Sequence, residues 1–365
     1  LVDQVRTRAD DIAGRTGLRL EVARIAVRSL AKDRGVDLPD GVLTVEAAEV
    51  VVDPGIDVVV ETIGGIEPAR ELTLAAIRAG KPVISANKEL LANHGAELFA
   101  AAESAGVDLL FEAAVGGGIP FIRPLRESLA GERIDRVMGI VNGTTNYILT
   151  RITEEGASYG EALAESQALG YAEADPTADV EGFDAAAKAA IIASIAFGAR
   201  VTAGEVYNEG IAGVTTTDID YARRLDYVVK LLAIAERHPD GSDTGAGDAG
   251  GDEISVRVHP AMVPSEHPLA SVRDSFNAIF VEGEAVGELM FYGRGAGGAP
   301  TASAVLGDLI DAAANRAKGS HASVGALARA RLRPIDEVRT AYYLNVEVRD
   351  RPGVLASVAG AFGDN

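Results

Sequence analysis

The first 117 residues alternate between short apolar strand patterns and helical patterns, and this alternation constrains the possible folds strongly. The strand patterns cover residues 22–27, 57–62, 81–85 and 107–112, and helical composition covers 68–79 and 94–105. Strands that alternate with helices predict a parallel sheet of the doubly wound, Rossmann type. The chain opens on a helical pattern at 2–13, so we expect the first strand of such a sheet and its glycine turn to be missing.

The segment 118–299 lacks this alternation and predicts an α+β domain with a mixed sheet. Its predicted strands are 133–141, 253–259, 277–281 and 285–292, and its predicted helices are 159–169 and 221–235. A polar, glycine-rich stretch at 239–252 is typical of a flexible surface loop. A strand pattern at 341–348 and a helix that opens within 349–355 follow near the end of the sequence.

Composition excludes several classes of protein. The 365 residues are 47% hydrophobic, which is enough to bury one or two cores. The net charge of −20, without a cluster of Lys and Arg, excludes nucleic acid and anionic membranes as expected partners. The sequence has no Cys, so disulfides and thiolate metal sites are excluded, and no apolar run reaches about 18 residues. We therefore expect a cytoplasmic protein that binds a small molecule.

The stretch 170–188 leads a carboxylate-rich loop into a predicted helix. Asp179 is a good N-cap, the run that follows is strongly helix-forming, and Gly198 is typical of a helix stop. These signals predict a helix over about 180–197. Asp184 and Lys188 lie four residues apart and share a face of that helix, so the amine and the incoming carboxylates can converge.

Three interpretations of this spacing compete. An exposed ion pair between Asp184 and Lys188, worth about 0.3–0.5 kcal/mol, is the commonest outcome of a four-residue spacing. The alanines and isoleucines around Lys188 favour instead a buried ammonium, which must be paired or used. Asp175, Asp179 and Glu181 could also offer oxygen ligands to a metal, but the loop lacks the pattern of a calcium loop.

A glycine pattern at 293–298 matches the dinucleotide fingerprint GxGxxG. It follows a strand pattern and precedes a predicted helix at about 301–317, but no second strand follows to complete a βαβ unit. We interpret it as a backbone-accessible loop whose helix N-terminus faces an anion or a cofactor. A plain glycine-rich connection fits the sequence equally well.

Six separated motifs, in their order and spacing, resemble those of the homoserine dehydrogenase family. They are the stretch 170–188, ETIGG (61–65), SANKEL (85–90), FEAAVGGGIP (111–120), VNGTTN (141–146) and GAGGAPTA (295–302). The resemblance covers nearly the whole chain. It implies reversible NAD(P)-dependent hydride transfer between L-homoserine and L-aspartate 4-semialdehyde, in the biosynthesis of threonine, methionine and isoleucine.

The resemblance also implies roles for individual residues. Lys188 corresponds to the acid and base that exchanges a proton with the substrate oxygen, and Lys88 to a second active-site lysine. Two ammoniums around one oxygen would lower each other's proton affinity. The residues implied to bind or support the substrate are Gly170, Glu173, Asp179, Asp184 and Thr144.

Further implied residues concern the cofactor and a cation. The cofactor set is Arg28, Lys32, Thr62, Gly64, Asn87, Lys88, Gly295, Gly297 and Thr301. A loop whose carbonyls bind a monovalent cation, usually sodium, corresponds to Glu112, Val115, Gly117 and Ile119; a tight glycine turn is the alternative there. Arg28 stands where NAD-selective folds place an acid, which favours NADP, although several members of the family accept both cofactors.

The implied organisation has three parts. An NADP-binding domain at 1–117 is completed by 300–333, a substrate, catalytic and dimerisation domain covers 118–299, and an ACT regulatory domain begins at 341–365. We expect a homodimer or homotetramer, a response to threonine only with a complete ACT domain, and weak NADPH binding without the first glycine turn. The rival interpretation is a non-catalytic amino-acid-sensing protein or an inactive fragment of the same fold.

Overall fold

A computed structural model describes residues 1–238 and 253–363, so the loop predicted at 239–252 lies outside the described residues. The N-terminal region contains five short strands: β1 (Ile25–Ala26), β2 (Leu43–Thr44), β3 (Val59–Glu61), β4 (Val83–Ser85) and β5 (Leu109–Leu110). β1 pairs with β2, and β3, β4 and β5 form a second sheet in that order, all parallel. The predicted parallel, Rossmann-like sheet is confirmed, with strands shorter than predicted.

Helices separate these strands: α1 (Val2–Thr7), α2 (Ala9–Thr16), α3 (Ala47–Val52), α4 (Ala69–Arg78) and α5 (Lys88–Ala105). The helix predicted at 68–79 is confirmed. The helix predicted at 94–105 starts six residues earlier, because Asn87 caps it by accepting a hydrogen bond from the Leu90 N–H at 3.1 Å. This cap makes Lys88 the first residue of α5.

The region 118–299 contains most of a larger mixed sheet. Its strands are β6 (Ile134–Ile140), β7 (Tyr207–Asn208), β8 (Tyr227–His238), β9 (Glu253–Pro264), β10 (Phe276–Gly283), β11 (Gly287–Arg294) and, later in the chain, β12 (Arg331–Leu332). The order is β11-β10-β6-β8-β9-β12, and β7 also pairs with β9. β7 and β12 run parallel to β9 and the other pairs are antiparallel, so the predicted mixed sheet is confirmed.

The remaining helices are α6 (Gly143–Glu155), α7 (Tyr159–Ala168), α8 (Thr177–Val180), α9 (Phe183–Phe197), α10 (Thr216–Arg224), α11 (Gly298–Lys318) and α12 (Val354–Gly363). The helix predicted over 180–197 is α9, but the prediction of Asp179 as its N-cap is wrong. Gly182, with a φ of 83°, precedes the first residue of α9, and Asp179 lies within the one-turn helix α8. The glycine allows the sharp change of direction between the two helices.

The helix predicted at 221–235 is wrong. α10 ends at Arg224, Asp226 adopts a left-handed φ of 65°, and β8 begins at the next residue. β8 lies between β6 and β9 and is buried on both faces over most of its length, so its apolar run is continuous rather than alternating. Such a run cannot be distinguished from a buried helix by periodicity.

α11 packs back onto the N-terminal region. Val305 and Ala312 belong to one buried cluster with Ile84 and Leu110 of the parallel sheet. Leu306, on the same helix, packs in a second cluster with Val5 and Ile12. This packing supports the proposed assignment of α11 to the nucleotide-binding domain, whereas β12, at the end of the predicted range 300–333, pairs with β9 of the mixed sheet.

The strand predicted at 341–348 is not formed, since no strand is assigned between residues 339 and 350 of the described chain. The side chains of Tyr343 and Asn345 instead donate hydrogen bonds to Asp218 Oδ1, each at 3.0 Å. A strand needs neighbouring strands to satisfy its backbone groups. Among the described residues, no helix is long and apolar enough to cross a membrane.

Candidate active site

The centre of the candidate site is a buried carboxylate between two ammoniums. Lys188 Nζ lies 2.6 Å from Asp184 Oδ2, and Lys88 Nζ lies 2.9 Å from Asp184 Oδ1. Lys188 Nζ also donates to the Val141 carbonyl at 2.7 Å. The interpretation as an exposed ion pair is wrong, because the side chains of Asp184 and Lys188 are only 8% and 12% exposed.

The sequence accounts for this placement. The alanines and isoleucines of α9 bury this helix against the mixed sheet and α5. The polar residues of α9 therefore lie where the mixed sheet meets the three-stranded parallel region. Asp184 lies in the first turn of α9 and Lys188 one turn further on, so both point to one face. Lys88 arrives from the other side, on the first turn of α5.

Asn142 holds the carboxylates in place, a role that the sequence analysis missed. It follows β6 and caps α6 by accepting from the Thr145 N–H at 2.9 Å. Its Nδ2 donates to Asp179 Oδ1 at 2.7 Å and to Asp184 Oδ2 at 2.9 Å. The motif VNGTTN contains this residue, but its only local signal is that of a helix cap.

The charges of the cluster are strongly coupled. Burial opposes ionisation of Asp184, but the ammoniums of Lys188 and Lys88 outweigh it and hold the pKa of Asp184 well below its usual range. Burial also opposes the charge on Lys88, yet Asp184 outweighs it and raises the pKa of Lys88. The expectation that the two ammoniums lower each other's proton affinity is therefore wrong for Lys88, because a carboxylate lies between them.

Asp179 differs from Asp184 in its electrostatic surroundings. Burial raises the pKa of Asp179, the Asn142 hydrogen bond opposes this shift, and the nearby charge of Asp184 adds to it. The sequence also allows Asp179 to bind a metal together with Asp175 and Glu181. No group of three His, Cys, Asp or Glu side chains placed to hold a metal is found in the described part of the chain.

The other predicted substrate residues lie beside this cluster rather than in it. Thr144 Oγ1 donates to the Tyr171 carbonyl at 2.7 Å and so fixes the loop after α7 to α6. Gly170 adopts a φ of 76° in that loop. Glu173 is exposed, and its carbonyl accepts from Gln167 Nε2 at 3.0 Å. Within residues 1–238 and 253–363, no ion pair joins Glu173 to either lysine.

The predicted cofactor residues fall into separate groups, of which the first lies at the carboxyl ends of the parallel strands. Thr62 is exposed in the turn after β3, where Gly64 and Gly65 adopt φ values of 80° and 72°. Asn87 Nδ2 donates to the Gly65 carbonyl at 2.7 Å. Arg28 and Lys32 are exposed in the loop that follows β1, between the two strands of the two-stranded sheet.

The second group precedes α11. Gly297, with a φ of 117°, is the cap residue of the helix, and its carbonyl accepts from the Thr301 N–H at 3.0 Å. A Cβ at Gly295 would lie 1.9 Å from the Asn277 carboxamide, and a Cβ at Gly117 would lie 2.3 Å from the Gly295 carbonyl. Only glycine allows these two loops to touch. The N-terminus of a 21-residue helix and the left-handed turn after β3 are features that fit a dinucleotide.

The loop predicted to bind a cation, residues 112–119, lies between β5 of the three-stranded parallel sheet and β6 of the mixed sheet. The Glu112 carboxylate is buried and accepts hydrogen bonds from the backbone N–H groups of Phe121, Ile122 and Arg123, at 2.5, 2.7 and 2.8 Å. The Glu112 N–H donates to Asp308 Oδ2 at 2.8 Å. Burial raises the pKa of Asp308 to about 7, with the Glu112 charge adding to the effect of burial and the Glu112 N–H opposing it.

The carbonyls of this loop decide whether a cation fits. Ile119 N–H donates to the Gly116 carbonyl at 2.9 Å, which closes the turn. In the described part of the chain, the carbonyls of Val115 and Gly117 accept no backbone hydrogen bond. Carbonyl oxygens without a backbone donor are the type of ligand that a hard cation takes.

Comparison with known proteins gives a consistent result over both regions. Residues 1–112 match the family model described as homoserine dehydrogenase, NAD binding domain, and residues 120–310 match the model described as homoserine dehydrogenase. The homoserine dehydrogenase of Corynebacterium glutamicum is 54% identical over 356 residues, which are 97% of this chain and 78% of that relative. The similarity does not favour the rival interpretation of a non-catalytic sensing protein.

Solved structures agree with this similarity. A crystal structure of a homoserine dehydrogenase from Thiobacillus denitrificans has a TM-score of 0.88 at 44% identity, covering 99% of this chain and 82% of that one. A hyperthermophilic archaeal homoserine dehydrogenase, solved in complex with NADPH, has a TM-score of 0.62 at 31% identity, covering 73% of this chain and 74% of that one. The shared fold therefore includes both the parallel sheet and the mixed sheet.

Proposed function

The chain belongs to the homoserine dehydrogenase family of NAD(P)-dependent oxidoreductases, and we propose that Lys188 is the acid and base of its reaction. The observation that carries this proposal is the pair of hydrogen bonds from Lys188 Nζ to Asp184 and to the Val141 carbonyl. An ammonium has three N–H donors, so one remains for a substrate oxygen. The two fixed bonds hold the Nζ in place before substrate arrives.

The nicotinamide cofactor, when bound, supplies the hydride acceptor and donor. In the oxidation of homoserine, Lys188 in its neutral form takes the proton of the hydroxyl group, and in the reduction of aspartate 4-semialdehyde the protonated Lys188 returns it. Lys88 uses one N–H for Asp184 and directs the others towards the same oxygen, whose negative charge it stabilises. Asp184 orients both lysines.

The amino-acid end of the substrate binds on the side of the exposed loop. Glu173 supplies a carboxylate for the substrate ammonium, with Gly170 and Asp184 beside it. Thr144 keeps the loop closed against α6, and Asp179 supports the cluster through Asn142. The exposure of Glu173 supports this role, because a substrate can reach a carboxylate that no internal ion pair occupies.

The cofactor binds across the carboxyl ends of the parallel strands. The turn with Thr62 and Gly64, held by Asn87, approaches one part of the dinucleotide. The loop with Gly295, Gly297 and Thr301 presents the N-terminus of α11 to another. Arg28 and Lys32 favour the 2′-phosphate of NADP over NAD. Arg28→Ala should therefore raise the KM for NADP about tenfold and leave the KM for NAD unchanged, and equal effects on both cofactors would contradict this preference.

A monovalent cation, which we take to be sodium, binds to the carbonyls of Glu112, Val115, Gly117 and Ile119. It would supply charge compensation for the buried Glu112 at the junction of the two sheets. The thermal unfolding midpoint should then rise with NaCl more than with choline chloride at equal ionic strength. An equal rise with both salts would contradict the cation site and favour the interpretation of this loop as a tight glycine turn.

The wider setting follows from the family. We place the enzyme in the cytoplasm, in threonine, methionine and isoleucine biosynthesis, as a homodimer or homotetramer in which 118–299 carries the subunit contact. Any threonine response belongs to a complete ACT domain.

Lys188→Ala tests the central assignment. It should lower kcat for homoserine oxidation by about 10²–10⁴, the range of positioned acid–base catalysis, with little change in NADPH affinity. Lys318→Ala, at the exposed end of α11, is the matched control and should keep the parent kcat. A Lys188→Ala variant with more than half of the parent kcat would refute the assignment.

A further inference from the structure

Glu61 is a buried carboxylate that none of the roles above explains. It is 4% exposed at the end of β3. Its two oxygens both accept hydrogen bonds from neutral donors, Oε1 from the Ile63 N–H at 2.6 Å and Oε2 from the Ser85 hydroxyl at 2.7 Å. A buried charge is costly unless its hydrogen bonds are fully made, so this arrangement calls for an explanation.

The hydrogen bonds of Glu61 belong to a closed ring. Ser85 Oγ accepts from the Asn87 N–H at 3.1 Å, and Asn87 Nδ2 donates to the Gly65 carbonyl at 2.7 Å. The chain from Glu61 to Gly65 closes the ring, and the Ile63 N–H is bonded inside it. We call this set, Glu61, Ile63, Gly65, Ser85 and Asn87, the strand-end ring.

The strand-end ring joins two functional elements. One is the turn 62–65, where two glycines adopt left-handed φ values and Thr62 is exposed. The other is the start of α5, because Asn87 Oδ1 caps the helix whose first residue, Lys88, reaches Asp184 at 2.9 Å. Asn87 therefore links the turn directly to the helix end that carries Lys88.

We propose that Glu61 is a positioning residue that couples the seating of the dinucleotide on the turn 62–65 to the placement of the Lys88 ammonium. The inference rests on the cofactor and lysine roles proposed above. Glu61 touches neither substrate nor cofactor and acts through Ser85 and Asn87. The ring uses a carboxylate, because both of its oxygens accept hydrogen bonds at the same time.

Glu61→Gln disrupts the ring without changing its shape, because a glutamine offers only one acceptor oxygen. If that oxygen faces Ser85, the NH₂ group opposes the Ile63 N–H. If the oxygen faces Ile63, the NH₂ group can only donate to Ser85 Oγ, so the bond is reversed and the Ser85 hydroxyl loses its acceptor. Ser85→Ala cuts the same ring on the other side of the carboxylate. Thr73→Val is the matched control, since Thr73 is a buried residue of α4 whose hydroxyl has no hydrogen-bond partner among the described residues.

The test measures NADPH dissociation constants by nicotinamide fluorescence, kcat and KM for homoserine, and thermal midpoints for the purified proteins. Glu61→Gln and Ser85→Ala should each raise the NADPH dissociation constant about fivefold and lower kcat about fivefold. The double variant should be no worse than the worse single variant, because both changes cut one ring. Thr73→Val should stay within twofold of the parent in every kinetic constant.

A kinetic cycle with Lys88 separates positioning from a purely structural role. Lys88→Met should lower kcat about tenfold in the parent but less than threefold in the Ser85→Ala background, where Lys88 is already misplaced. In the Thr73→Val background it should keep its full effect. Multiplicative effects in the Ser85→Ala background, or ring variants that change only the thermal midpoint, would overturn the inference.

The same measurements distinguish this inference from the assignments on which it rests. Thr62→Val with parent NADPH affinity, together with Lys88→Met with parent kcat, would remove the cofactor and lysine roles and the coupling with them. Impairment by Thr62→Val and Lys88→Met, with Glu61→Gln and Ser85→Ala unchanged, would overturn the coupling alone.

Discussion

Lys188 and Lys88 reach the same carboxylate from two different regions of the molecule. Lys188 comes from α9, which packs on the mixed sheet, and it is 12% exposed with hydrogen bonds to both Asp184 and the Val141 carbonyl. Lys88 comes from the first turn of α5, beside the parallel sheet, and it is 44% exposed with an ion pair to Asp184. Lys188 is therefore fixed within its own region, whereas the placement of Lys88 depends on a contact between the two regions.

The difference indicates a division of labour. A group that exchanges a proton must be held within hydrogen-bond reach of the reacting oxygen, which suits the fixed Lys188. A group that only stabilises charge can arrive with the nucleotide-binding region, which suits Lys88. The site would then be complete only when the two regions are apposed as they are here.

Asp184→Asn should have the largest effect on stability, because it removes the shared partner of both lysines. Breaking a buried ion pair on one side costs about 3–5 kcal/mol, and because Lys88 is partly exposed we expect a loss of about 3 kcal/mol. Urea unfolding at neutral pH measures it. Asp220→Asn, which alters an exposed pair on α10, is the control and should change the free energy of unfolding by less than about 0.5 kcal/mol.

The pH dependence sharpens the same prediction. The pKa of Asp184 is lowered in the folded protein, so its contribution to stability is present above its ordinary pKa of about 3.9 and is lost as the pH falls through the folded value. The stability of the parent should thus fall in acid below about pH 4, and Asp184→Asn should lack this part of the decline. Parallel curves for both proteins would show that the carboxylate is not ionised in the folded state.

Asn142→Ser should have the next largest effect, since it removes the two N–H bonds to Asp179 and Asp184 and keeps a hydroxyl that can cap α6. Hydrogen bonds to charged groups are worth more than neutral ones, and we expect a loss of about 2 kcal/mol. Asn142→Ala should cost about 1 kcal/mol more, because the cap is lost as well. Equal losses would mean that the carboxylate contacts, and not the cap, account for the role of Asn142, and an unchanged stability of Asn142→Ser would contradict the role of these contacts.

The sequence predicts those parts of this arrangement that depend on local signals. α9 follows from strong helix formers and a glycine stop, and the four-residue spacing places Asp184 and Lys188 on one face. The apolar neighbours of Lys188 already favour a buried ammonium. The sequence of β8 predicts a helix because a strand buried on both faces loses its alternation, and only its pairing with β6 and β9 identifies it as a strand.

The contacts that set the charges could not be predicted in this way. The hydrogen bonds from Asn142 to Asp184 and from Ser85 to Glu61 join residues 42 and 24 positions apart. Locally, Asn142 is only a helix cap and Glu61 only the acid that ends a strand. The carboxylate between the two lysines, which raises the pKa of Lys88, likewise becomes visible only when α5 meets α9.

Lys88→Met tests the weaker side of the comparison and should lower kcat about tenfold, less than Lys188→Ala. The pKa of Lys88 is raised in the folded protein, so its contribution to stability is full below its ordinary pKa of about 10.4 and is lost as the pH rises through the folded value. The free energy of unfolding of the parent should therefore decline at alkaline pH, and Lys88→Met should lack this part of the decline. A loss of kcat as large as that of Lys188→Ala would contradict the division of labour.

Glu173→Gln should have the smallest effect and marks the edge of the cluster. Because the Glu173 carboxylate is exposed and joined to neither lysine, its removal should leave stability and kcat unchanged. An accessible ion pair is worth up to about 1 kcal/mol, so the KM for homoserine should rise about fivefold. The parent should discriminate against a substrate analogue without the amino group, and the variant should do so less. Asp175→Asn, in the same loop, should keep the parent discrimination, and equal discrimination by all three proteins would show that Glu173 does not bind the substrate ammonium.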